Sequence, residues 1–293
     1  MTRALVLEFL SAREISPAAL VRLAARNQVR RVSVCIKPFK ALSGEAVPFA
    51  DLIDWDLSGD TPNRRELKRI CQAEGVSIAS ADPFFVRSEA DIAGSRRALE
   101  SAAWLEAGAV TLIVMESDMA RLRELMAGFC AVANEYGLDV LHEHSPRMPL
   151  KTVTSALTLQ RSLDASNLRL VVDALHFFRG ANALSDLVAV RADEIARIQL
   201  CDAPLNVPSQ GGGYEAFYER KIPGEGVFPL HDLLAALPEQ LEIGMEVPLW
   251  QMQNEGVQAA ERVQLIVDAT HRLLARVAAT KNEHGTGEGS RTV

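Results

Sequence analysis

The feature that most constrains this chain is a regular alternation of short apolar segments with amphipathic helices. Eight segments read as strands: Ala4–Phe9, Val32–Ile36, Val76–Ser80, Val110–Met115, Asp139–Glu143, Leu168–Asp173, Arg197–Cys201 and Ile243–Val247. Several are near-continuous apolar runs, the pattern of parallel strands covered on both faces. The helices between them carry boundary signals. Ser16-Pro17 and Thr61-Pro62 each place a capping hydroxyl before a first-turn proline, and Ser88, Ser117, Thr152, Ser185 and Pro229 mark further starts. Gly75, Gly108 and Gly137 mark ends, and a last helix is expected over 255–279. Eight β-then-α units in 293 residues predict a single α/β domain, a (β/α)8 TIM barrel over residues 1–280. Residues 281–293 lack apolar periodicity and are expected to form a disordered tail. A doubly wound open sheet fits less well, because Leu10-Ser11-Ala12 stands where its glycine-rich phosphate turn would be.

Charge and composition remove other classes. With 31 Lys+Arg against 38 Asp+Glu the net charge is −7, and no basic stripe interrupts the sequence, which argues against a nucleic-acid partner. No apolar run approaches the roughly 18–20 residues that span a bilayer. The N-terminal stretch lacks the length and cleavage site of a signal peptide. Cys35, Cys71, Cys130 and Cys201 are scattered singly, which reads as reduced thiols in a cytoplasmic protein.

The polar residues where the strands finish carry the functional signal. Strand five ends at Glu143 and strand six at Asp173, with His176 just beyond; strand seven offers Gln199 and Asp202, and strand eight carries Glu246. In a barrel these ends converge on one mouth, the face on which such folds build their sites. Any one of these groups alone is more often a cap or an ion-pair partner. Three carboxylates together repel one another unless a positive charge sits among them, and a divalent cation resolves that conflict. Oxygen donors suit Mg²⁺ or Mn²⁺, and a nearby histidine also admits Co²⁺ or Zn²⁺. His142 and His144 flank Glu143 and point to the other side of the strand. The turn Arg220 to Gly226 (RKIPGEG) is able to aim Arg220 at a substrate oxygen, and Trp250, just past Glu246, is the tryptophan expected to face the pocket. The long connections 37–60 and 202–228 are expected on the substrate side.

Taken in order, Glu143, Asp173-x-x-His176, Gln199-x-x-Asp202, the Arg220–Gly226 turn and Glu246 resemble the sugar phosphate isomerase/epimerase family with the xylose isomerase-like TIM barrel. Hydroxypyruvate isomerase, ketose 3-epimerases, the inosose enzymes and bacterial 3-dehydroshikimate dehydratase belong to that family. The resemblance is specific over residues 139–250; over 1–138 it rests on the β/α rhythm, and Lys37 stands near the end of the second strand where many relatives carry glutamate. It implies one divalent ion held by Glu143, Asp173, Gln199 and Glu246. It further implies Glu143 and Glu246 as the proton-transferring pair, and His176 and Arg220 on the substrate. Lys37 and Trp250 are additional substrate-side candidates. The sugar epimerases usually carry histidine where Gln199 stands; glutamine occurs there in the dehydratase branch.

The chemistry so implied begins by removing a proton from carbon next to a carbonyl, through a metal-stabilised enediolate. Return of the proton gives isomerisation or epimerisation of a small polyhydroxy-carbonyl compound; loss of a β-hydroxyl instead gives a lyase. A non-catalytic carbohydrate-binding barrel is the third reading. A DNA-repair endonuclease of the same wider fold would need a histidine-rich metal cluster, and the chain has six histidines and a negative charge. The class also admits a homo-oligomer.

Overall fold

The computed structural model describes residues 3–37, 55–188 and 190–285, with side chains described up to residue 280. In chain order the elements are β1 (Leu5–Leu7), α1 (Pro17–Arg26), β2 (Arg31–Cys35), α2 (Pro62–Glu74), β3 (Ser77–Val86), α3 (Glu89–Trp104), β4 (Ala109–Val114), α4 (Met119–Asn134), β5 (Asp139–Glu143), α5 (Val153–Ser162), β6 (Leu168–Asp173), α6 (Ala174–Arg179), β7 (Ile195–Leu200), α7 (Gly212–Phe217), α8 (Leu230–Ala236), β8 (Glu242–Met245), α9 (Trp250–Asn254) and α10 (Ala259–Gly285). Each strand pairs in parallel with its sequence neighbour, and β1 pairs with β8, so the sheet closes into the expected eight-stranded barrel.

Local sequence explains most boundaries. Ser16 and Thr61 cap α1 and α2 by accepting from the amides of Ala19 and Arg64, each with proline in the first turn. Gly75 ends α2 in the left-handed conformation that glycine adopts without strain. The helices turn their apolar stripes onto the sheet: α4 buries Leu122, Leu125, Met126, Phe129 and Cys130. Each such large side chain removed from water contributes about 1.5–3 kcal/mol, which anchors the outer ring.

Two strands depart from expectation. β1 has three residues, because a 3-10 turn over Phe9–Ala12 follows at once and the Phe9 amide bonds Ser33 Oγ at 2.9 Å. β3 runs to Val86, through Asp82-Pro83. The proline offers no N–H, and the register with β4 shifts between Ala81 and Phe84 as the strand passes it. α10 continues to Gly285; residues 286–293 of the expected tail, and 38–54 of the long connection after β2, lie outside the described residues. The four cysteines are free, and among the described residues no helix is long and apolar enough to cross a membrane.

Strand alternation decides what enters the barrel. Leu141 and Val171 line the interior cavity, so Glu143 and Asp173, two residues further on, point the same way. Arg197 and Gln199 share a face of β7 by the same rule and both line the cavity. Gly244, opposite Gln199 on β8, is glycine for a steric reason: a Cβ there would lie 2.2 Å from Glu8 Oε1 and 2.9 Å from Arg197 Cδ.

Candidate active site

A cavity of about 420 Å³ opens at the C-terminal ends of the strands and is lined by Glu143, His176, Gln199, Arg220 and Glu246 among others. Asp173, fully buried, sits behind them at the end of β6. One oxygen of Asp173 caps α6 by accepting from the Leu175 amide (2.6 Å), and the other accepts from Arg220 Nη1 (2.8 Å). Glu246 is held by Arg220 Nη2 at 3.0 Å and by the Gln199 amide nitrogen at 3.2 Å. Glu143 differs. Its Oε1 is buried without a hydrogen-bond partner, 3.8 Å from His176 Nε2, while His176 Nδ1 faces Ser145 Oγ at 3.4 Å.

The electrostatics follow from three carboxylates and one guanidinium. Burial pushes Asp173 up, but Arg220 and His176 outweigh it and hold its pKa at about 2. Burial and the charges of Asp173 and Glu246 drive Glu143 well above the carboxylate range. Glu246 is raised as well, by burial first and despite Arg220. Burial lowers His176 to about 4, leaving a neutral imidazole with an available lone pair. Arg220 thus neutralises part of the acidic group without any ion, and Glu143 is the carboxylate left over.

The donor set fits a divalent cation. Ligand atoms of Glu143, Asp173 and His176 lie within 4.8 Å of one another, and an orphaned buried carboxylate oxygen is what such an ion would satisfy. His176 therefore stands inside the ligand cluster, whereas Gln199 meets it through its bond to Glu246. Arg220, expected on the substrate, is 2% exposed and spends its donors on Asp173, Glu246 and the Ala216 carbonyl. Asp202 accepts from the amides of Ala203, Gly224 and Phe228 and so fixes the turn that delivers Arg220. Gly226 is required there, since a Cβ would lie 2.2 Å from Asp202 Oδ1.

Lys37 and Trp250 are not brought to this group. Lys37 pairs with Asp56 at 3.3 Å, and Trp250 packs edge-on against Tyr218, which takes the place on the cavity wall. His142 bonds Gln160 at 2.8 Å and His144 packs on Phe177, both behind the strand. Sequence reasoning missed a second buried cluster below: Arg197 bonds Glu8 (2.9 Å) and Ser80 (3.1 Å), and Ser80 and Thr111 both donate to Asp82. An arginine in the middle of a buried parallel strand was the signal available for it.

The fold and the strand-end acid–histidine group define a TIM barrel with its polar centre at the mouth. Residues 14–267 match the family described as xylose isomerase-like TIM barrels, and the chain belongs to that family. Among solved structures it is similar to a fusion of such a barrel with 4-hydroxyphenylpyruvate dioxygenase (TM-score 0.75, 17% identity), covering 100% of this chain and 45% of the fusion protein. It is similar to the IolI protein, solved with a zinc atom (TM-score 0.74, 16% identity, 94% of this chain and 99% of that one). It is also similar to D-psicose 3-epimerase from Clostridium cellulolyticum H10, solved with D-tagatose (TM-score 0.68, 12% identity, 92% and 99%). At such identities these structures speak for the fold. No curated protein sequence matches.

Proposed function

We propose that the protein is a divalent-metal-dependent isomerase or epimerase of a small sugar or related polyhydroxy-carbonyl compound. One observation carries this: a buried, unpartnered oxygen of Glu143 facing donor atoms of Asp173 and His176 at the mouth of a xylose isomerase-like barrel. The zinc in IolI and the ketose in D-psicose 3-epimerase support it by analogy. Glu143, Asp173 and His176 would hold the ion, with Glu246 and the amide oxygen of Gln199 beside them; Mn²⁺, Mg²⁺, Co²⁺ and Zn²⁺ all suit mixed oxygen and imidazole donors. When bound, the ion supplies polarisation of a substrate carbonyl. Glu143 and Glu246 exchange the proton on the adjacent carbon, a task suited to carboxyl groups whose pKa values lie above the usual range. Arg220 keeps Asp173 ionised and fixes Glu246 in place. A lyase that starts with the same proton removal is the second reading, favoured by the apolar side chains Phe9, Phe85 and Phe217 on the cavity wall.

Metal content by plasma mass spectrometry tests the reading. About one divalent ion per chain is expected in the wild type and none in Glu143→Gln. Glu246→Gln is expected to fold and to lose at least about 10²-fold in exchange of substrate protons with deuterated solvent. A wild type that retains no metal after loading with Mn²⁺ sinks the proposal.

A further inference from the structure

The loop that follows β5 reaches across the mouth of the barrel. Its backbone is fixed by a tight turn, in which the Met148 amide donates to the Ser145 carbonyl and the Ser145 amide to that of Leu150, both at 2.9 Å. Ser145 Oγ ties this turn to the ligand group: it faces His176 Nδ1 at 3.4 Å and accepts from the Arg147 amide at 3.4 Å. The Arg147 side chain then runs to α7, and its guanidinium lies along the first turn of that helix. A Cβ on Gly213 would be 3.0 Å from Nη2 and 3.1 Å from Cζ and Nη1, and Cζ is 5.8 Å from the ring centre of Phe217.

Strand order turns this span into a cover. Arg147 follows β5 and α7 follows β7, while β6 stands between those two strands in the closed sheet and leads into His176. A side chain that joins the β5 loop to α7 therefore crosses the end of β6, where Glu143, Asp173 and His176 gather. Arg147 is exposed, whereas the His176 side chain is only 12% exposed, so the arginine lies on the solvent side. Its charge is one of those that disfavour a proton on His176, and both residues line the cavity.

The hold on this side chain is weak. The guanidinium has no carboxylate or hydrogen-bond partner among the described residues. A cation–ring contact at an exposed site favours the seated position by no more than about fivefold, and exposed side chains change rotamer within nanoseconds. Glycine at 213 gives the planar group its flat seat, and any side chain there would crowd it.

We infer that Arg147 is a movable roof over the acid–histidine group, seated on Gly213 and Phe217, and that whatever binds Glu143, Asp173 and His176 enters by displacing it. Seated, the roof keeps bulk water from these side chains. That it guards an ion and a substrate rests on the function proposed above; the roof itself rests on the placement of one side chain.

Diethyl pyrocarbonate, which acylates neutral imidazole, tests this in the metal-free full-length protein. Modification of His176 is followed by mass spectrometry, with the exposed His271 as internal reference. At about pH 8 a histidine of ordinary pKa is neutral as well, so the rate reports access and not charge. Arg147→Ala is expected to raise the His176 rate about fivefold, the factor by which the seat is held, and Gly213→Ala to raise it at least about twofold. The His271 rate, the circular dichroism spectrum and the thermal midpoint stay at their wild-type values, because Arg147 is exposed and alanine suits a helix. An unchanged His176 rate in either variant, or a His271 rate that rises in step with it, overturns the roof. The measurement needs no ion. A wild type that retains no Mn²⁺ therefore removes the proposed reaction and leaves the roof standing, and an unchanged His176 rate in a protein that does bind Mn²⁺ removes the roof alone.

Discussion

Two arginines lie buried inside this barrel, Arg197 on β7 and Arg220 just before the turn fixed by Asp202, and each is surrounded by carboxylates. Around Arg197 every acid is served. Glu8 accepts from Arg197, Glu242 is ion-paired with Arg31 and Arg197, and both oxygens of Asp82 accept from hydroxyls of Ser80 and Thr111. Around Arg220 the accounts do not close: Asp173 and Glu246 are held, but Glu143 keeps an unpartnered oxygen beside a neutral imidazole. The same residue types therefore leave every carboxylate served at one level, although Arg197 Nε itself has no hydrogen-bond partner, and one carboxylate oxygen unserved at the other. It is the unserved acid beside other ligand atoms that marks the functional centre here.

The largest test of this contrast removes each cation in turn. Arg197→Met and Arg220→Met are both expected to cost about 3–5 kcal/mol in urea unfolding, since each strands buried carboxylates. Added Mn²⁺ should restore stability to Arg220→Met and do nothing for Arg197→Met; equal rescue of both would break the comparison. A second test uses pH. Burial and the charge of Glu8 raise Asp82 from 3.8 to about 6 in the folded protein. The folded state thus binds its proton more tightly, so this contribution to stability is fully present below the unfolded value and is lost as pH rises through 6. Wild-type stability measured against Asp82→Asn should fall by about 2 kcal/mol between pH 4 and pH 7. A flat difference would mean that the lower cluster is not closed in the way described. The smallest effect is expected from Thr111→Val, about 1 kcal/mol, because Ser80 still donates to the other oxygen of Asp82.

How much of this was legible in the sequence follows from which physical rule applied. β5 and β6 begin and end where the apolar runs do, and their terminal Glu143 and Asp173 enter the barrel because period-two alternation fixes their faces. The conflict among three carboxylates was equally readable. Its partial resolution by Arg220 was not, because loop geometry anchored by Asp202 decides where that side chain goes. Lys37 and Trp250 mislead for a related reason: nearness to a strand end does not say which way a side chain turns, and Tyr218 occupies the wall that Trp250 supports from behind. β3 runs beyond the apolar segment Val76–Ser80 because a register shift carries the strand past Pro83.

The closure of the sheet has a consequence in time. Ser11 Oγ donates to the Met245 carbonyl and accepts from the Val247 amide, both at 2.8 Å, and the first of these bonds joins residues 234 apart in the chain. β1 cannot complete its pairing until β8 has left the ribosome, a wait of roughly 10–50 seconds at about 5–20 residues per second. Through that interval one edge of β1 stays open and available to wrong partners. A strand of only three residues, ended at once by a 3-10 turn, offers those partners very little to hold.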